Sequence, residues 1–161
     1  MTKRRPAGLD RPSTAKIIKS MSAFHVWIYR VSGGRLGRKW RVGSALRSGV
    51  PICLLSTTGK RSGLPRVAPL LYMADGERVV VVASQGGLPT NPQWYRNLQA
   101  DPEVQVEFRG NRRRMLARTA SAEERAQLWP RLVAMYRDFE SYQAWTDREI
   151  PVVICEPVPM G

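Results

Sequence analysis

The chain has 161 residues, of which 43% are hydrophobic, and it carries a net charge of +13 with a single histidine. This length fits one domain with a sizeable core. One histidine excludes a histidine-rich metal centre, and it makes a hydrolase triad improbable.

Two further properties bear on the cellular compartment. Cys53 and Cys155 lie inside apolar runs, so we expect both to be core residues, although a disulfide between them stays open. Nothing at the N-terminus resembles a signal peptide, and no apolar run approaches the length of a transmembrane helix. These features predict a cytoplasmic protein without a bound metal.

The excess positive charge is concentrated in the first third of the chain. Residues 1–50 contain twelve Lys or Arg and one acidic residue, Asp10, whereas the rest of the chain carries fourteen basic and twelve acidic residues. This distribution favours an appendage that meets an anionic surface over a domain that grips nucleic acid evenly. We therefore expect no nucleic-acid partner, and a basic nucleic-acid-binding protein is the weakest alternative.

The basic N-terminal region divides into a disordered tail, an amphipathic basic helix and a basic linker, at residues 1–12, 13–34 and 35–50. Ser13 or Thr14 is the predicted helix cap, and apolar residues recur at three- and four-residue steps as far as Val31. Such a helix suits either packing on protein, its own domain or a sister subunit, or an anionic membrane surface. Both alternatives stay open on this pattern.

From Pro51 onward the pattern changes to short β segments. The predicted strands are Ile52–Thr57, Arg66–Met73, Arg78–Ala83, Val104–Phe108, Arg114–Thr119 and Pro151–Glu156. Asp75-Gly76 and Gly110-Asn111 predict hairpin turns. Consecutive hairpins indicate an antiparallel sheet that can close into a small barrel, so we expect an α+β domain over residues 51–161.

The first predicted hairpin has a cationic turn. Gly59 and Gly63 allow the backbone to turn tightly, and Lys60, Arg61 and Arg66 bring three cations close together. The turn is not a Walker A loop, because the first glycine and the final Ser or Thr of G-x-x-x-x-G-K-[ST] are missing. It is either a solvated hairpin tip or a site for an anionic ligand.

Two helices interrupt the strands. Asn91 is the predicted cap of the first, with Pro92 at its first position and Trp94 following, and Ser121 with Glu124 forms a capping box for the second. No G-x-G-x-x-G motif follows a strand, so a Rossmann dinucleotide site is not indicated. If the protein is an enzyme, a bound cofactor carries the reaction.

Five segments carry a family resemblance: TTGKRSGLPRVAPL, VVVVASQGG, NPQWYRNLQADPEVQV, TASAEERAQLWPRLVAMY and YQAWTDREIPVVICEP. In order and spacing they resemble the actinobacterial deazaflavin-dependent nitroreductases over about residues 50 to 157. The resemblance implies a split β-barrel related to FMN-binding oxidoreductases, and it implies the reduced deazaflavin coenzyme F420 as cofactor. It also implies quinone reductase activity and an N-terminal helix, residues 14–31, that lies on the inner face of the cell membrane.

The resemblance assigns site residues by position. It implies that Lys60, Arg61 and Arg66 bind the phosphate and oligoglutamate tail of the coenzyme, which agrees with their charge. The ring would lie near Val67, Ala68, Pro69, Val82, Ala83, Ser84, Gln85, Trp94, Tyr95 and Asn97.

The acceptor pocket would be lined by Tyr136, Phe139 and Tyr142. Ser84 and Tyr136 are the candidates to give a hydrogen bond or proton to the anion that develops on the acceptor.

This chain departs from the family pattern at three positions. Ala68 stands where the characterised nitroreductases have Asn, Gln85 where they have a basic residue, and Phe139 where they have Tyr. Phe139 cannot donate a hydrogen bond to a nitro or quinone oxygen. We therefore expect a quinone-like acceptor to be preferred over nitro compounds.

The leading hypothesis is a reductase that transfers hydride from the reduced deazaflavin to this acceptor. The alternative from another class is a non-catalytic coenzyme carrier, which would bind the coenzyme tightly without turnover. A homodimer also stays open.

Overall fold

The computed structural model describes residues 6–7, 11–33, 35, 39–41, 43–45 and 47–159. Its strands are β1 (Lys39–Trp40), β2 (Val50–Thr58), β3 (Pro65–Asp75), β4 (Arg78–Val82), β5 (Glu103–Phe108), β6 (Asn111–Thr119) and β7 (Val152–Pro157). Its helices are α1 (Pro12–Val31), α2 (Gln93–Ala100), α3 (Ala122–Met135) and α4 (Asp138–Ala144).

Six of the strands close into an antiparallel barrel. They follow the order β2-β3-β4-β7-β6-β5, and β5 pairs again with β2. At the point of closure, Leu54 of β2 lies opposite Pro69 of β3 on one side and opposite Glu107 of β5 on the other. The prediction of an α+β fold with an antiparallel split barrel is confirmed.

Strand β4 explains how the core is divided. Its valines alternate between the two faces of the sheet, and both faces are buried, which accounts for an uninterrupted apolar run. Val79 and Val81 belong to a cluster that includes Leu55 and Met115. Val80 and Val82 belong to a second cluster, which joins the outer face of this strand to the helices α3 and α4.

Helix α2 contributes to the first cluster through Trp94, Tyr95 and Leu98. The Tyr95 and Thr119 hydroxyl oxygens lie 2.8 Å apart, which ties the helix to the end of β6. Helix α2 is therefore fixed on the barrel next to the hairpin that joins β2 and β3.

Both cysteines are free and buried, and the disulfide left open by the sequence is not formed. Burial raises the pKa of the Cys155 thiol to about 12 and also raises the pKa of the Cys53 thiol. These thiols are packed as small apolar residues.

Helix α1 contacts the barrel at β3, and it buries Tyr29 completely. Four of its large apolar side chains are exposed, at 64% for Met21, 61% for Phe24, 59% for Trp27 and 68% for Val31. The Phe24 and Trp27 rings stack on each other with centroids 6.0 Å apart. None of the helices in the described ranges is long and apolar enough to cross a bilayer.

Three local predictions are corrected. Helix α1 begins at Pro12 with Arg11 as its cap, because a proline at the first position has its φ preset for a helix. The cap of α2 is Pro92 and not Asn91. The β5–β6 turn places Arg109 and Gly110 at positive φ, so β6 begins at Asn111, earlier than the predicted Arg114.

The capping box is confirmed, since the Glu124 amide donates to the Ser121 hydroxyl and the Ser121 amide donates to the Glu124 carboxylate. Parts of the predicted basic tail and linker, residues 1–5, 8–10, 36–38, 42 and 46, lie outside the described residues, as do residues 34, 160 and 161.

Candidate functional site

The turn between β2 and β3 begins and ends on backbone hydrogen bonds. The Gly59 amide donates to the Leu64 carbonyl over 2.8 Å, and the Gly63 amide donates to the Gly59 carbonyl over the same distance. A side chain at Gly59 would collide with the Ser62 hydroxyl, and Gly63 has a φ of +67°. These two glycines let the turn carry its charged residues on a tight backbone.

This turn forms one wall of a pocket of about 900 Å³, and α2 forms the other. The lining residues are Gly59, Lys60, Arg61, Ser62, Arg66, Val67, Ala68, Gln93, Trp94, Arg96 and Asn97. Four of them are cations, and none of the described residues that line the pocket is acidic. Such a pocket is suited to a polyanion.

The cations of the pocket are exposed to solvent. The Arg66 guanidinium lies 3.5 Å from the Ser62 hydroxyl, at the limit for a hydrogen bond. Within the described part of the chain, the side chains of Lys60, Arg61 and Arg96 make no salt bridge or hydrogen bond with an acidic residue. Their charge therefore remains available to a ligand.

Asn97 fixes the hairpin to α2. Its side chain is 1% exposed, and its carbonyl oxygen accepts from the Lys60 amide and from the Gln93 side chain, both over 3.1 Å. Its amide nitrogen donates to the Thr57 hydroxyl over 3.1 Å. Asn97, predicted to lie near the ring, thus forms part of the pocket lining and also holds the backbone of the basic turn.

The segment of β3 that follows the turn continues the pocket. Val67 and Ala68 line it, and Trp94 of α2 faces them with 9% of its surface exposed. Pro69 and Tyr95, also assigned to the ring site by resemblance, are not among the lining residues. Tyr95 is 5% exposed and points into the barrel cluster.

A second predicted group lies in the loop that leaves β4. Val82 and Ala83 are buried, and the Ala83 amide donates to the Pro151 carbonyl over 2.9 Å. Ser84 and Gln85 follow with partial exposure, and Gln85 has a φ of +45° although it is not glycine. The backbone of this loop is thus strongly constrained.

Gly87 brings this loop against α4. Its φ is +76°, and a β-carbon at this position would lie 2.8 Å from the Tyr142 carbonyl oxygen. The predicted ring-binding loop and the predicted acceptor wall are therefore in direct contact.

The acceptor wall is an aromatic cluster. The Tyr136 and Phe139 rings meet edge to face with centroids 5.1 Å apart, and Tyr142 packs against both. The Tyr136 and Tyr142 hydroxyl oxygens lie 3.2 Å apart, and burial raises the pKa of Tyr142. Tyr136 and Phe139 are each only 3% exposed, so Tyr142 is the most accessible of the three.

Sequence reasoning missed two arginines. Arg96 lies three residues after Gln93 on the same face of α2, a spacing that could have placed it in the pocket. Arg148 was quoted only as part of a motif, yet its guanidinium donates to the carbonyls of Ala83, Ser84 and Leu88. Burial of this guanidinium lowers its pKa.

Across the described ranges there is no group of three or more His, Cys, Asp or Glu side chains that could hold a metal.

Comparisons with known proteins agree with this geometry. The family model described as F420H(2)-dependent quinone reductase matches residues 21–157. A Mycobacterium tuberculosis protein, whose name assigns it to these reductases, is 49% identical over 117 residues, which is 73% of this chain and 98% of the relative. A second M. tuberculosis protein, named F420H(2)-dependent quinone reductase, is 35% identical over 133 residues, 81% of this chain and 85% of the relative.

Solved structures agree as well. An F420-H2 dependent reductase, FDR-A, is 40% identical with a TM-score of 0.62, covering 66% of this chain and 94% of that chain. A structure described as a domain-swapped dimer has the same identity and TM-score, covering 66% and 80%. The heme storage protein HutZ of Vibrio cholerae, 14% identical with a TM-score of 0.52, shares the fold alone over 68% of this chain and 82% of its own.

Proposed function

This chain belongs to the F420H(2)-dependent quinone reductase family, and we propose that it uses the reduced deazaflavin coenzyme to reduce a quinone-like acceptor. The observation that carries the proposal is the pocket between the β2–β3 turn and α2, whose described lining residues include four cations and no acidic residue. The coenzyme's phosphate and oligoglutamate tail is a polyanion, so its charge matches this pocket.

The residues present fit the coenzyme. Lys60, Arg61, Arg66 and Arg96 would hold the tail, and guanidinium groups can give paired hydrogen bonds to phosphate and carboxylate oxygens. Val67 and Ala68 leave a smooth apolar strand surface beside Trp94, which suits one edge of a planar ring. Ala68 replaces an Asn of the characterised relatives, so the ring would be bound here with one side-chain hydrogen bond fewer.

When bound, the reduced coenzyme supplies a hydride to an electrophilic acceptor. The part of this chain is to bind the tail, to orient the ring and the acceptor, and to keep water away from the reacting atoms. The constrained loop at Ser84 to Gly87 and the adjacent aromatic cluster are the elements we assign to orientation.

Ser84 and Tyr136 remain our candidates for polar assistance to the reduced acceptor. The Tyr136 and Tyr142 hydroxyl oxygens lie 3.2 Å apart, so one hydroxyl can donate its hydrogen to the other. The second hydroxyl can then donate to the acceptor. Phe139 adds apolar surface to this cluster and no donor, which suits a quinone ring better than a nitro group. Quinone-like acceptors are therefore our proposed substrates.

The decisive experiment is a titration of the full chain with the deazaflavin coenzyme, followed by turnover with menaquinone analogues and nitroimidazoles under anaerobic conditions. A coenzyme trimmed of its oligoglutamate tail is the matched control, and we expect it to bind more weakly. Tight binding of the intact coenzyme without turnover across a broad acceptor panel would identify a carrier protein. Absence of binding would refute the proposal altogether.

For the partners of the chain, we propose that α1 lies on an anionic membrane surface through residues 14–31, on the cytoplasmic side. The exposed apolar residues Met21, Phe24, Trp27 and Val31, together with basic residues on the same helix, support this location. A homodimer is the alternative cover for these residues, because a 40% identical structure is described as a domain-swapped dimer.

A vesicle experiment distinguishes a membrane surface from a second copy of the chain as the partner of the exposed face of α1. Full chain and a variant lacking residues 1–31 are mixed with vesicles that contain or lack anionic lipid, and the molecular mass is measured in parallel. Membrane association predicts binding by the full chain to anionic vesicles only. A dimer that dissociates on deletion, without vesicle binding by the full chain, would contradict the membrane location.

A further inference from the structure

Arg148 is the most heavily engaged charged side chain near the candidate site. It lies between α4 and β7, and its hydrogen-bond acceptors in the described part of the chain are all in the loop that leaves β4. Its Nε donates to the Leu88 carbonyl over 2.9 Å, and its Nη1 donates to the Asn91 side-chain oxygen over 2.8 Å. Its Nη2 donates to the carbonyls of Ala83 and Ser84, over 3.2 and 2.9 Å.

These four bonds span the whole loop from the end of β4 to the start of α2. Within the loop, the Gly87 amide donates to the Ser84 carbonyl and the Leu88 amide donates to the Gln85 carbonyl. Gln85, Gly86 and Gly87 all have positive φ. One guanidinium therefore holds a strained backbone at both of its ends.

Arg148 is itself held from the side of the aromatic cluster. Gln143 of α4 donates to the Arg148 carbonyl over 2.8 Å, and its side-chain oxygen accepts from the Ile150 amide over 2.9 Å. Arg125 of α3 donates to the same Gln143 oxygen over 3.0 Å and lies over the Trp129 ring at 4.4 Å. The chain of contacts thus links the helices of the acceptor wall to the loop.

We propose that Arg148 is a positioning residue of the coenzyme site, which fixes the backbone from Ala83 to Asn91 in the shape that receives the deazaflavin ring. This inference rests on the proposed function. The guanidinium of Arg148 gives four hydrogen bonds to acceptors of the loop, so its effect on the coenzyme would act through the loop. A lysine could not replace it, because one ammonium cannot reach four acceptors spread over nine residues.

The test compares Arg148→Lys with Arg118→Lys in the full chain. Arg118 is a matched control, since its guanidinium also makes four hydrogen bonds to protein, all to the carboxylates of Glu124 and Glu156. Three quantities are measured: amide hydrogen exchange at Gly87 and Leu88 without ligand, affinity for the oxidised coenzyme, and kcat with a menaquinone analogue at saturating coenzyme.

For Arg148→Lys we expect about tenfold faster exchange at these two amides, and about tenfold losses in coenzyme affinity and in kcat, because charged hydrogen bonds of this kind are lost. Arg118→Lys should change none of the three. Asn91→Ala is the milder second variant, since it removes one of the four bonds and keeps the arginine. It should shift all three quantities in the same direction by about threefold.

Two results would overturn the inference. One is wild-type exchange at Gly87 and Leu88 in both Arg148→Lys and Asn91→Ala. The other is faster exchange with wild-type affinity and kcat, which would show that the loop is held by Arg148 but does not serve the coenzyme. A wild-type chain that binds no coenzyme would refute the proposed function as well, and this distinguishes the two failures.

Discussion

The two halves of the candidate site use arginine in opposite ways. At the pocket, Lys60 and Arg61 of the β2–β3 turn and Arg96 of α2 are exposed cations, and none of the described lining residues is acidic. Arg148, which contacts the β4–α2 loop, is partly buried and donates four hydrogen bonds to the backbone of this loop and to the Asn91 side chain. We propose that the exposed cations around the pocket, the open half of the site, bind the ligand. We propose that Arg148 gives the β4–α2 loop, the fixed half, its shape.

The largest effect is expected from removing the exposed cations of the pocket. Replacing Lys60, Arg61 and Arg66 together with Ala should weaken coenzyme binding about 100-fold at low salt, because each exposed contact to an anion contributes up to about 1 kcal/mol. The loss should shrink as salt is raised, because screening shortens the Debye length from about 10 Å at 0.1 M to about 3 Å at 1 M. Coenzyme titrations at several salt concentrations measure both.

The control for this variant is the replacement of Arg112, Arg113 and Arg114 with Ala. These residues are consecutive on β6, exposed and outside the pocket. Replacing them removes the same three positive charges as the pocket variant. Coenzyme affinity should stay near the wild-type value at 0.15 M salt. An equal loss in both variants would mean that net charge, and not the pocket, attracts the coenzyme.

The second prediction concerns the fixed half of the site. Gly87→Ala should reduce the free energy of unfolding by about 2 to 3 kcal/mol, because a β-carbon would meet the Tyr142 carbonyl oxygen at 2.8 Å and the residue has a φ of +76°. Gly86→Ala is the matched control, since it has a φ of +61° but nothing within 4 Å of the new carbon. It should cost about 1 kcal/mol.

Urea denaturation of the two variants measures the difference. If both lose the same stability, backbone strain alone explains the glycines, and the contact between the loop and α4 has no energetic weight. If Gly87→Ala is the more costly, the close approach between the loop and the aromatic cluster is confirmed as a constraint.

The sequence predicted the open half of the site far better than the fixed half. Lys60, Arg61 and Arg66 lie within seven residues of one hairpin, so a local pattern contains the information. The strands were also predictable, because VVVV in β4 and the hairpin turns are local signals. Only strand ends and helix caps were displaced, where proline geometry or a positive-φ turn decided between neighbouring residues.

The fixed half depends on contacts between distant residues. Arg148 lies 57 to 65 residues along the chain from its acceptors, and no spacing rule connects them. Asn91 is of a residue type that often caps helices, yet its side-chain oxygen accepts a hydrogen bond from Arg148 instead. Asn97 likewise reads as an ordinary helix residue, because its partner Thr57 is 40 positions away. Tertiary packing decided these roles.

The third prediction tests whether the β2–β3 turn and the β4–α2 loop are energetically independent. Asn97→Leu should cost about 1 to 2 kcal/mol of unfolding free energy, because it leaves the buried Thr57 hydroxyl and the Lys60 amide without their partner. Coenzyme affinity should fall about tenfold as the basic turn loosens. Exchange at Gly87 and Leu88 should not change, since the hydrogen bonds of the Asn97 side chain with described residues go to Thr57, Lys60 and Gln93 and not to that loop.

Gln93→Ala is the control for Asn97, because Gln93 is exposed and gives Asn97 one hydrogen bond. We expect Gln93→Ala to reduce the free energy of unfolding by less than about 0.5 kcal/mol. Faster exchange at Gly87 in Asn97→Leu would show that the turn and the loop form one cooperative unit, so that the two halves of the site are not independent.

The smallest effect is expected at Arg118, an arginine satisfied by the protein as Arg148 is, but by carboxylates. Its hydrogen bonds hold the pKa of Glu124 down at about 2, aided by the Ser121 amide. A depressed carboxylate pKa stabilises the fold above the ordinary pKa of the residue, and this contribution is lost as pH falls from about 4.5 to about 2. Glu124→Gln keeps the capping box and removes the charge.

The stability difference between wild type and Glu124→Gln should therefore be constant above about pH 5 and should vanish near pH 2, as measured by Tm at several pH values. Glu123→Gln makes the same change of charge in the same helical turn without touching Arg118, and its difference from wild type should not follow this pH course. Coenzyme affinity at pH 7 should be unchanged in both variants. An altered affinity in Glu124→Gln would mean that internally satisfied charge also tunes the ligand site, and the division between open and satisfied arginines would fail.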